Sequence, residues 1–233
     1  MKKPTFRSLR TRLHQLLDTK TVTLNGVRVG TARGALPASI RKFLYRGDYE
    51  EHERDLVEKA LRPGDRVLEI GCGIGLVSLV ATRVCGAGNV FSYEANPMME
   101  ETIRSNYRLN GWEPNLFMKA ITADGRRLRF FRQKNVLSSS LIDRDMGGEV
   151  IEVESVAIND AIAAHRPTAV VMDAEGAEEE ILPVADLSGV RVLILELHPH
   201  IIGEEKVGEL VKGLEERGFA LRGKSHKTWY LER

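Results

Sequence analysis

The stretch Arg66–Gly75, RVLEIGCGIG, sets the fold. Its apolar run has the length of a buried strand and stops in a turn built on Gly71, Gly73 and Gly75. Directly after it, LVSLVATRVC (76–85) carries apolar residues at helical spacing. Strand, glycine turn and helix together make the first half of a βαβ unit. The alternation then repeats. NVFSYEANP (89–97) is a strand ended by Asn-Pro, MMEETIRSNYRLNG (98–111) an amphipathic helix closed by glycine, and NLFMKAI (115–121) a third strand. Farther on, TAVVMDAEG (168–176) and VRVLILELHP (190–199) are apolar strands separated by a helix over AEEEILPVADL (177–187). INDAIAAH (158–165) and EEKVGELVKGLEERG (204–218) are helices, and FALRGKSHKTWYLER (219–233) is a closing hairpin.

Repeated strand–helix–strand units predict an α/β fold: a doubly wound, mostly parallel, Rossmann-like seven-stranded sheet with an antiparallel C-terminal hairpin. Two regions interrupt the rhythm. RLRFFRQ and EVIEVESV read as strands around the polar stretch NVLSSSLIDRDMGGE, an excursion beside the sheet whose Ser138 to Leu141 either line a pocket or are solvated loop. Residues 1–46 read as a small N-terminal extension, a short helix followed by the hairpin TVTLNGVRVG with Asn-Gly at its turn. We therefore expect a basic arm over 1–46 and a main domain over 47–233.

Bulk properties narrow the class. Hydrophobic residues make up 42% and charged residues 29%, as in ordinary soluble proteins. No apolar run reaches the ~18 residues of a membrane span, and no apolar segment of a signal peptide follows the basic N-terminus. Cys72 and Cys85 lack disulfide-framework or metal-site spacing, so a reduced, cytoplasmic setting is expected. The net charge of +1 hides an asymmetry, because residues 1–46 hold eleven Lys/Arg against the single acid Asp18. That +10 leaves 23 basic and 32 acidic residues, or −9, elsewhere. Such a split fits a basic arm lying on an acidic body, or one meeting an anionic partner.

In doubly wound sheets ligands bind beyond the carboxyl ends of the strands, where the strand order reverses. The strand ends are therefore the candidate site. After the first, glycines let a ligand approach the backbone N–H groups. Leu76 occupies the last glycine position of a dinucleotide fingerprint, which argues against a pyrophosphate ligand. Glu69 within the first strand and Glu94 at the end of the second favour a nucleoside, since an acid there accepts the ribose hydroxyls.

At this point a family resemblance enters. VLEIGCGIG followed by YEANP resembles a class I S-adenosylmethionine-dependent methyltransferase. With RGDYEEHE upstream, DAEGAEEEIL at the fourth strand and LILELHP at the fifth, the order from about Gly47 to Pro199 is similar to the FkbM family, whose members typically methylate hydroxyl oxygens of natural products and glycans. The resemblance implies S-adenosyl-L-methionine as cofactor and a small-molecule or glycan acceptor; nucleic acid is not expected as a partner, because the fourth strand lacks the Asn/Asp-Pro-Pro-Tyr/Phe run usual in methyltransferases acting on base nitrogens. By it, Glu69, Gly71, Cys72, Gly73 and Gly75 hold the methionine portion. Glu94 takes the ribose hydroxyls with Ala95 beside the adenine, and Lys119 to Ile121, centred on Ala120, meet the adenine edge. Tyr49, Glu50 and Glu53 either close over the cofactor or start a solvated helix. The family's commoner Asp-x-Gly-Ala-Asn is replaced here by Glu69, Cys72 and Gly73.

For the transfer step we expect Asp173, Glu175 and His198 as catalytic candidates. Asp173 follows a buried strand and precedes the helix, so the helix dipole that accounts for Glu178, Glu179 and Glu180 does not account for it. His198 is either the base or a histidine bonded to a neighbouring backbone group. Asp173, Glu175 and His198 have the chemistry to hold Mg²⁺, but no dedicated ligand spacing exists, and no metal is assigned. Two other readings stand beside the methyltransferase. A nicotinamide-dependent oxidoreductase lacks its third glycine and a Tyr-x-x-x-Lys pair, and a cofactor-binding module without transfer activity would act through its basic arm.

Overall fold

All four residues of the strand Val67–Ile70 are buried, so both of its faces must be covered, and alternate side chains feed two separate cores. The computed structural model describes residues 6–132 and 149–233. In chain order come α1 (Phe6–Leu16), the hairpin of β1 (Thr21–Leu24) and β2 (Val27–Gly30), α2 (Ala38–Arg46), α3 (Glu51–Ala60), β3 (Val67–Ile70), α4 (Leu76–Cys85), β4 (Val90–Tyr93), α5 (Glu100–Leu109) and β5 (Asn115–Phe117). They are followed by β6 (Ala120–Thr122), β7 (Leu128–Arg132), β8 (Glu149–Val153), β9 (Ser155–Ala157), α6 (Ile158–His165), β10 (Ala169–Met172) and α7 (Glu178–Ile181). The chain closes with β11 (Val192–Glu196), α8 (Pro199–Ile202), α9 (Glu204–Glu216) and the hairpin of β12 (Ala220–Ser225) and β13 (Thr228–Glu232).

The central sheet has seven strands in the order β12-β13-β11-β10-β3-β4-β5. Strands β11, β10, β3, β4 and β5 run parallel, while β13 is antiparallel to β11 and to β12. This is the doubly wound sheet with a closing antiparallel hairpin that the periodicity predicts. One core joins Val67, Val171 and Ile194 to α3, α4, α5 and the N-terminal hairpin. The other joins Leu68, Val170, Met172 and Leu193 to α6, α7 and α9. The chain leaves β3 toward β4 and later returns to β10 on the other side, so the order reverses between β3 and β10. Their carboxyl ends flank the crevice where such folds bind ligands.

Local chemistry explains the details. Asn25 and Gly26 at the β1–β2 turn both have positive φ, 43° and 77°, as a two-residue primed hairpin turn requires. Val22, Leu24, Val27 and Val29 of that hairpin are buried in the same core as Leu79 and Val80 of α4. The third strand expected over 115–121 is two strands. Lys119 N–H donates to the Phe117 carbonyl at 2.9 Å, turning the chain off the sheet, and β6 pairs in parallel with β9. The helix expected over 177–187 is the single turn α7. Pro183 brings no N–H and a clashing ring, which stops it. Strands β7 and β8 pair antiparallel as expected, whereas Ser138 to Leu141 lie outside the described residues.

Gly71 fixes the spacing of the crevice. Its N–H donates to Tyr93 O at 2.9 Å, and Asp173 N–H donates to Ile70 O at 2.9 Å. A Cβ on Gly71 would lie 2.0 Å from the carbonyl oxygen of Asp173, and its φ is 77°. Gly71→Ala is therefore expected to destabilise the fold by more than ~2 kcal/mol, read as a lower midpoint in thermal unfolding. An unchanged midpoint would mean that the β3 and β10 ends are not held this tightly.

Candidate methyl-transfer site

A cavity of about 330 Å³ opens between the ends of β3, β4 and β10. Of the residues expected from the sequence, Tyr49, Glu53, Gly71, Cys72, Gly73, Glu94, Ala95, Ala120, Asp173 and Glu175 all line it. Glu50, Lys119 and Ile121, expected with them, line it too, as does Asn96, which was not expected. Glu94, buried at the end of β4, receives Cys72 N–H at 3.1 Å and Gly73 N–H at 2.9 Å on Oε2, and Asn96 N–H at 2.8 Å on Oε1. It staples the glycine turn to the second strand. A carboxylate has about four lone-pair sites, so the three N–H bonds leave one acceptor site for a ligand hydroxyl. Tyr49 and Glu50 lean over the turn, placing the Tyr49 hydroxyl 3.7 Å and Glu50 Oε1 3.4 Å from where a Gly73 Cβ would stand.

Other expected residues sit differently. Glu69 does not line the cavity. It lies beneath the turn, 1% exposed, and accepts from Ser78 Oγ and Ser92 Oγ at 2.5 Å each. An acid on a fully covered strand must find buried donors, and the two serines supply them to Oε2, while the buried Oε1 accepts none among the described residues. Gly75 is also behind the wall, starting α4 with φ 80°, where a Cβ would stand 3.1 Å from Ile103 Cγ2. Burial raises the Cys72 thiol well above its ordinary range, which makes it an apolar neighbour and not a nucleophile.

At the fourth and fifth strands the side chains form one network. His198, 2% exposed, has Nδ1 at 3.0 Å from Glu178 Oε1. Its Nε2 faces Glu196 Oε1 at 3.4 Å, Asp173 Oδ1 at 3.6 Å and Glu175 Oε2 at 3.9 Å. Burial opposes a charged imidazole, but the bonds to Glu178 and Glu196 outweigh it and push His198 up to about 10. The bonded partner is a carboxylate and not the backbone group of the alternative reading, and it holds a proton on the imidazole more firmly than on a free histidine. The imidazole is buried behind Asp173 and bonded to a carboxylate.

Glu178 is the residue that sequence reasoning misplaced. Apart from His198 it receives Ala174 N–H at 3.1 Å and Gly176 N–H at 2.9 Å, and it is fully buried. It fastens the turn that carries Asp173 and Glu175, the latter at φ 49°. The available signal was an acid at a helix start that can reach back to the N–H groups before it, as in a capping box. Glu196 has no signal of its own in the sequence, since it ends an apolar strand and belongs to no glycine motif.

Burial raises Glu50 to about 8, against a hydrogen bond to Tyr49. Burial and the charges of Glu196 and Glu175 likewise raise Asp173. The wall is thus short of cationic partners.

Residues 39–193 match the family model described as the TRM5/TYW2 methyltransferase domain. The chain belongs to that family. It is a class I methyltransferase domain, and its cofactor is S-adenosyl-L-methionine, as expected from the glycine turn and Glu94. The nicotinamide alternative falls with this match. The family differs from the FkbM one that the motif order resembles, and the level the two share, the class I methyltransferase, is what holds.

Among curated relatives, the ribosomal protein L11 methyltransferase of Bacillus cytotoxicus is 39% identical over 54 residues, 23% of this chain and 17% of that protein. That of Burkholderia thailandensis is 39% identical over 54 residues, 23% of this chain and 18% of that protein. The chain therefore spans under a fifth of the length of these relatives. Among solved structures, TYW2 of P. horikoshii in complex with MeSAdo is 14% identical, covers 98% of this chain and 81% of that chain, and has a TM-score of 0.48. Trm5b of Pyrococcus abyssi is 13% identical over 91% of this chain and 54% of that chain, with a TM-score of 0.47.

The family and these relatives correct the expected partner. A small-molecule or glycan acceptor with nucleic acid improbable does not hold: the matched family is TRM5/TYW2, and the curated relatives are named as methyltransferases of ribosomal protein L11. No helix among the described residues is long and apolar enough to cross a membrane.

The raised carboxylates make a prediction with a definite sign. A carboxylate whose folded pKa lies above its unfolded value favours the fold at low pH, and that contribution is lost as pH rises through about 8 for Glu50. The ligand-free chain should therefore unfold at lower temperature at pH 9 than at pH 6. A cationic sulfonium meets the new negative charge, while the neutral sulfur of S-adenosylhomocysteine does not. Calorimetry should show the preference for S-adenosylmethionine over S-adenosylhomocysteine growing by ~10-fold from pH 6 to 9. Glu50→Gln should flatten the rise.

Proposed function

We propose that this chain transfers the methyl group of S-adenosyl-L-methionine to an RNA, with residues 1–46 acting as the docking segment and 47–233 as the catalytic domain. One observation supports the RNA reading beyond the family match. The segment of charge +10 ends at Arg46 of α2, directly before Tyr49 and Glu50 in the cavity wall. Part of that charge is spent internally, since Asp18 pairs with Lys20, Arg33 and Arg41, and Asp48 with Arg46. Arg12, Arg28 and Lys42 are exposed, and exposed cations attract a polyanion to the surface that carries them.

In this reading Glu94 binds the ribose hydroxyls, Ala95, Ala120 and Ile121 enclose the adenine, and the backbone of Gly71 to Gly73 holds the methionine end. Glu69 and Gly75 position that turn from beneath. Asp173 takes the acceptor's proton, with Glu175 beside it and His198 fixing the orientation of both. The S–CH₃ bond breaks with its electron pair going to sulfur, the acceptor–CH₃ bond forms in line, and the proton passes to the carboxylate. A base with a raised pKa is well matched to neutral pH, and general-base catalysis contributes ~10²–10⁴-fold. The acceptor atom is a hydroxyl oxygen, as the FkbM resemblance implies, or a ring nitrogen bearing a proton.

A second reading has its own observation. The acid-lined wall also suits a protonated amine, and the curated relatives are named ribosomal protein methyltransferases.

Incubation with radiolabelled S-adenosylmethionine and total RNA or ribosomal protein separates the two. Label is expected in RNA, and nucleoside digestion identifies the atom. Label confined to protein would overturn the RNA reading. Asp173→Asn should lower turnover ~10²–10⁴-fold while S-adenosylhomocysteine affinity holds. Reversing Arg12, Arg28 and Lys42 to Glu should weaken RNA binding and flatten its salt dependence by about three charges.

A further inference from the structure

The cluster behind the cavity has a geometry that proton transfer does not use. One ligand atom each from Asp173, Glu196 and His198 lies within 4.8 Å of the other two. The three residues come from the carboxyl ends of the adjacent strands β10 and β11, so their backbones are fixed by the sheet. We propose that Asp173, Glu196 and His198 coordinate a divalent cation of the first transition series, Zn²⁺ or Mn²⁺, at the acceptor side of the methyl-donor cavity.

Several observations converge. Ligands held ~2.1 Å from a tetrahedral centre stand ~3.4 Å apart. The distances from His198 Nε2 to Glu196 Oε1 and Asp173 Oδ1 are 3.4 and 3.6 Å. The imidazole is set up from behind, because Nδ1 faces the fully buried Glu178 at 3.0 Å. A carboxylate on one ring nitrogen turns the other toward a metal and raises its basicity. Asp173 Oδ1 is sealed from solvent and accepts no hydrogen bond. A buried carboxylate oxygen without a donor is costly unless a cation completes it.

Charge favours a divalent ion. Around Nε2 stand Asp173, Glu175 and Glu196, with Glu178 behind, and the cation nearest to Glu196 apart from His198 is Lys227 Nζ at 3.7 Å. Without metal, a proton on the imidazole answers this field with a single charge. A divalent ion answers it with two.

The mixed nitrogen–oxygen set favours Zn²⁺ or Mn²⁺ over Ca²⁺, which takes six to eight oxygens. Three protein ligands leave a position open, as in catalytic and not structural sites. An ion there would lower the pKa of a hydroxyl or water filling that position. The inference deepens the proton-removal step assigned to Asp173, and ion binding itself does not depend on the identity of the acceptor.

Electron paramagnetic resonance of the full chain titrated with Mn²⁺ tests it, with Zn²⁺ as competitor and S-adenosylhomocysteine affinity measured in parallel. One Mn²⁺ per chain at micromolar affinity is expected, displaced by Zn²⁺ and not by equimolar Ca²⁺. Glu196→Gln and His198→Ala should each weaken binding by at least ~10-fold, and Glu178→Gln by ~10-fold, with thermal unfolding confirming that each variant is folded. No saturable Mn²⁺ binding by the unaltered chain would overturn the proposal, whatever the variants do. Binding left unchanged in folded His198→Ala and Glu196→Gln chains would assign the ion to surface carboxylates and overturn it equally. Loss of S-adenosylhomocysteine binding would instead count against the methyl-donor site, so the two failures are distinguishable.

Discussion

The close approach of Gly71 to the carbonyl of Asp173 is the constraint on which the site depends. Two parallel strands, β3 and β10, leave the sheet side by side at the point where strand order reverses. Their outgoing chains can stay together only if one of them has no Cβ. Because they do, the glycine turn and Asp173 face each other across one cavity. Donor binding and acceptor chemistry are thus set by the same few backbone hydrogen bonds. A rigid sheet edge achieves this better than loops would, since positioning is much of what methyl transfer requires.

Around that edge the protein gathers negative charge, most of it with few partners of opposite sign. Glu50, Glu53, Glu94, Asp173 and Glu175 line the cavity, and His198 and Glu196 stand behind Asp173. In the free chain burial keeps Glu50 and Asp173 protonated to higher pH than usual, which lowers the cost of placing them there. A sulfonium, or a divalent ion, supplies the missing positive charge. The same arrangement that destabilises the empty site therefore favours its cationic ligands. Glu178 turns this into geometry by holding the Asp173 turn with one carboxylate and His198 with the same group.

The N-terminal region extends the argument from the site to the partner. Its hairpin is bound into the core beside α4, while Arg12, Arg28 and Lys42 remain exposed. Attachment to the body and exposure of charge are compatible because they use opposite faces of one short hairpin, which buries Val22, Leu24, Val27 and Val29 and exposes Thr23 and Arg28. Such a region can present a polyanion to a negatively charged pocket without the pocket itself attracting it.

Periodicity made the sheet legible from sequence. Apolar runs of strand length, glycines after Ile70 and Asn-Gly at the hairpin turn are local signals, and local sterics do not depend on what lies across the fold. They determined the parallel sheet, the order of its elements, and Gly71, Gly73, Glu94 and Asp173 as cavity residues. Tertiary structure alone decided the rest. Glu69 and Glu94 are both acids near the glycine turn, yet one is consumed by Ser78 and Ser92 while the other faces the cavity. Glu178 looked like a helix start and proved to be a buried brace. His198 reads as a base, yet its proton is held more firmly than on a free histidine, by Glu196 two residues before it and by Glu178, 20 residues away in the chain. A side chain's protonation and partners follow from burial and from long-range neighbours, and those exist only once the strands are side by side.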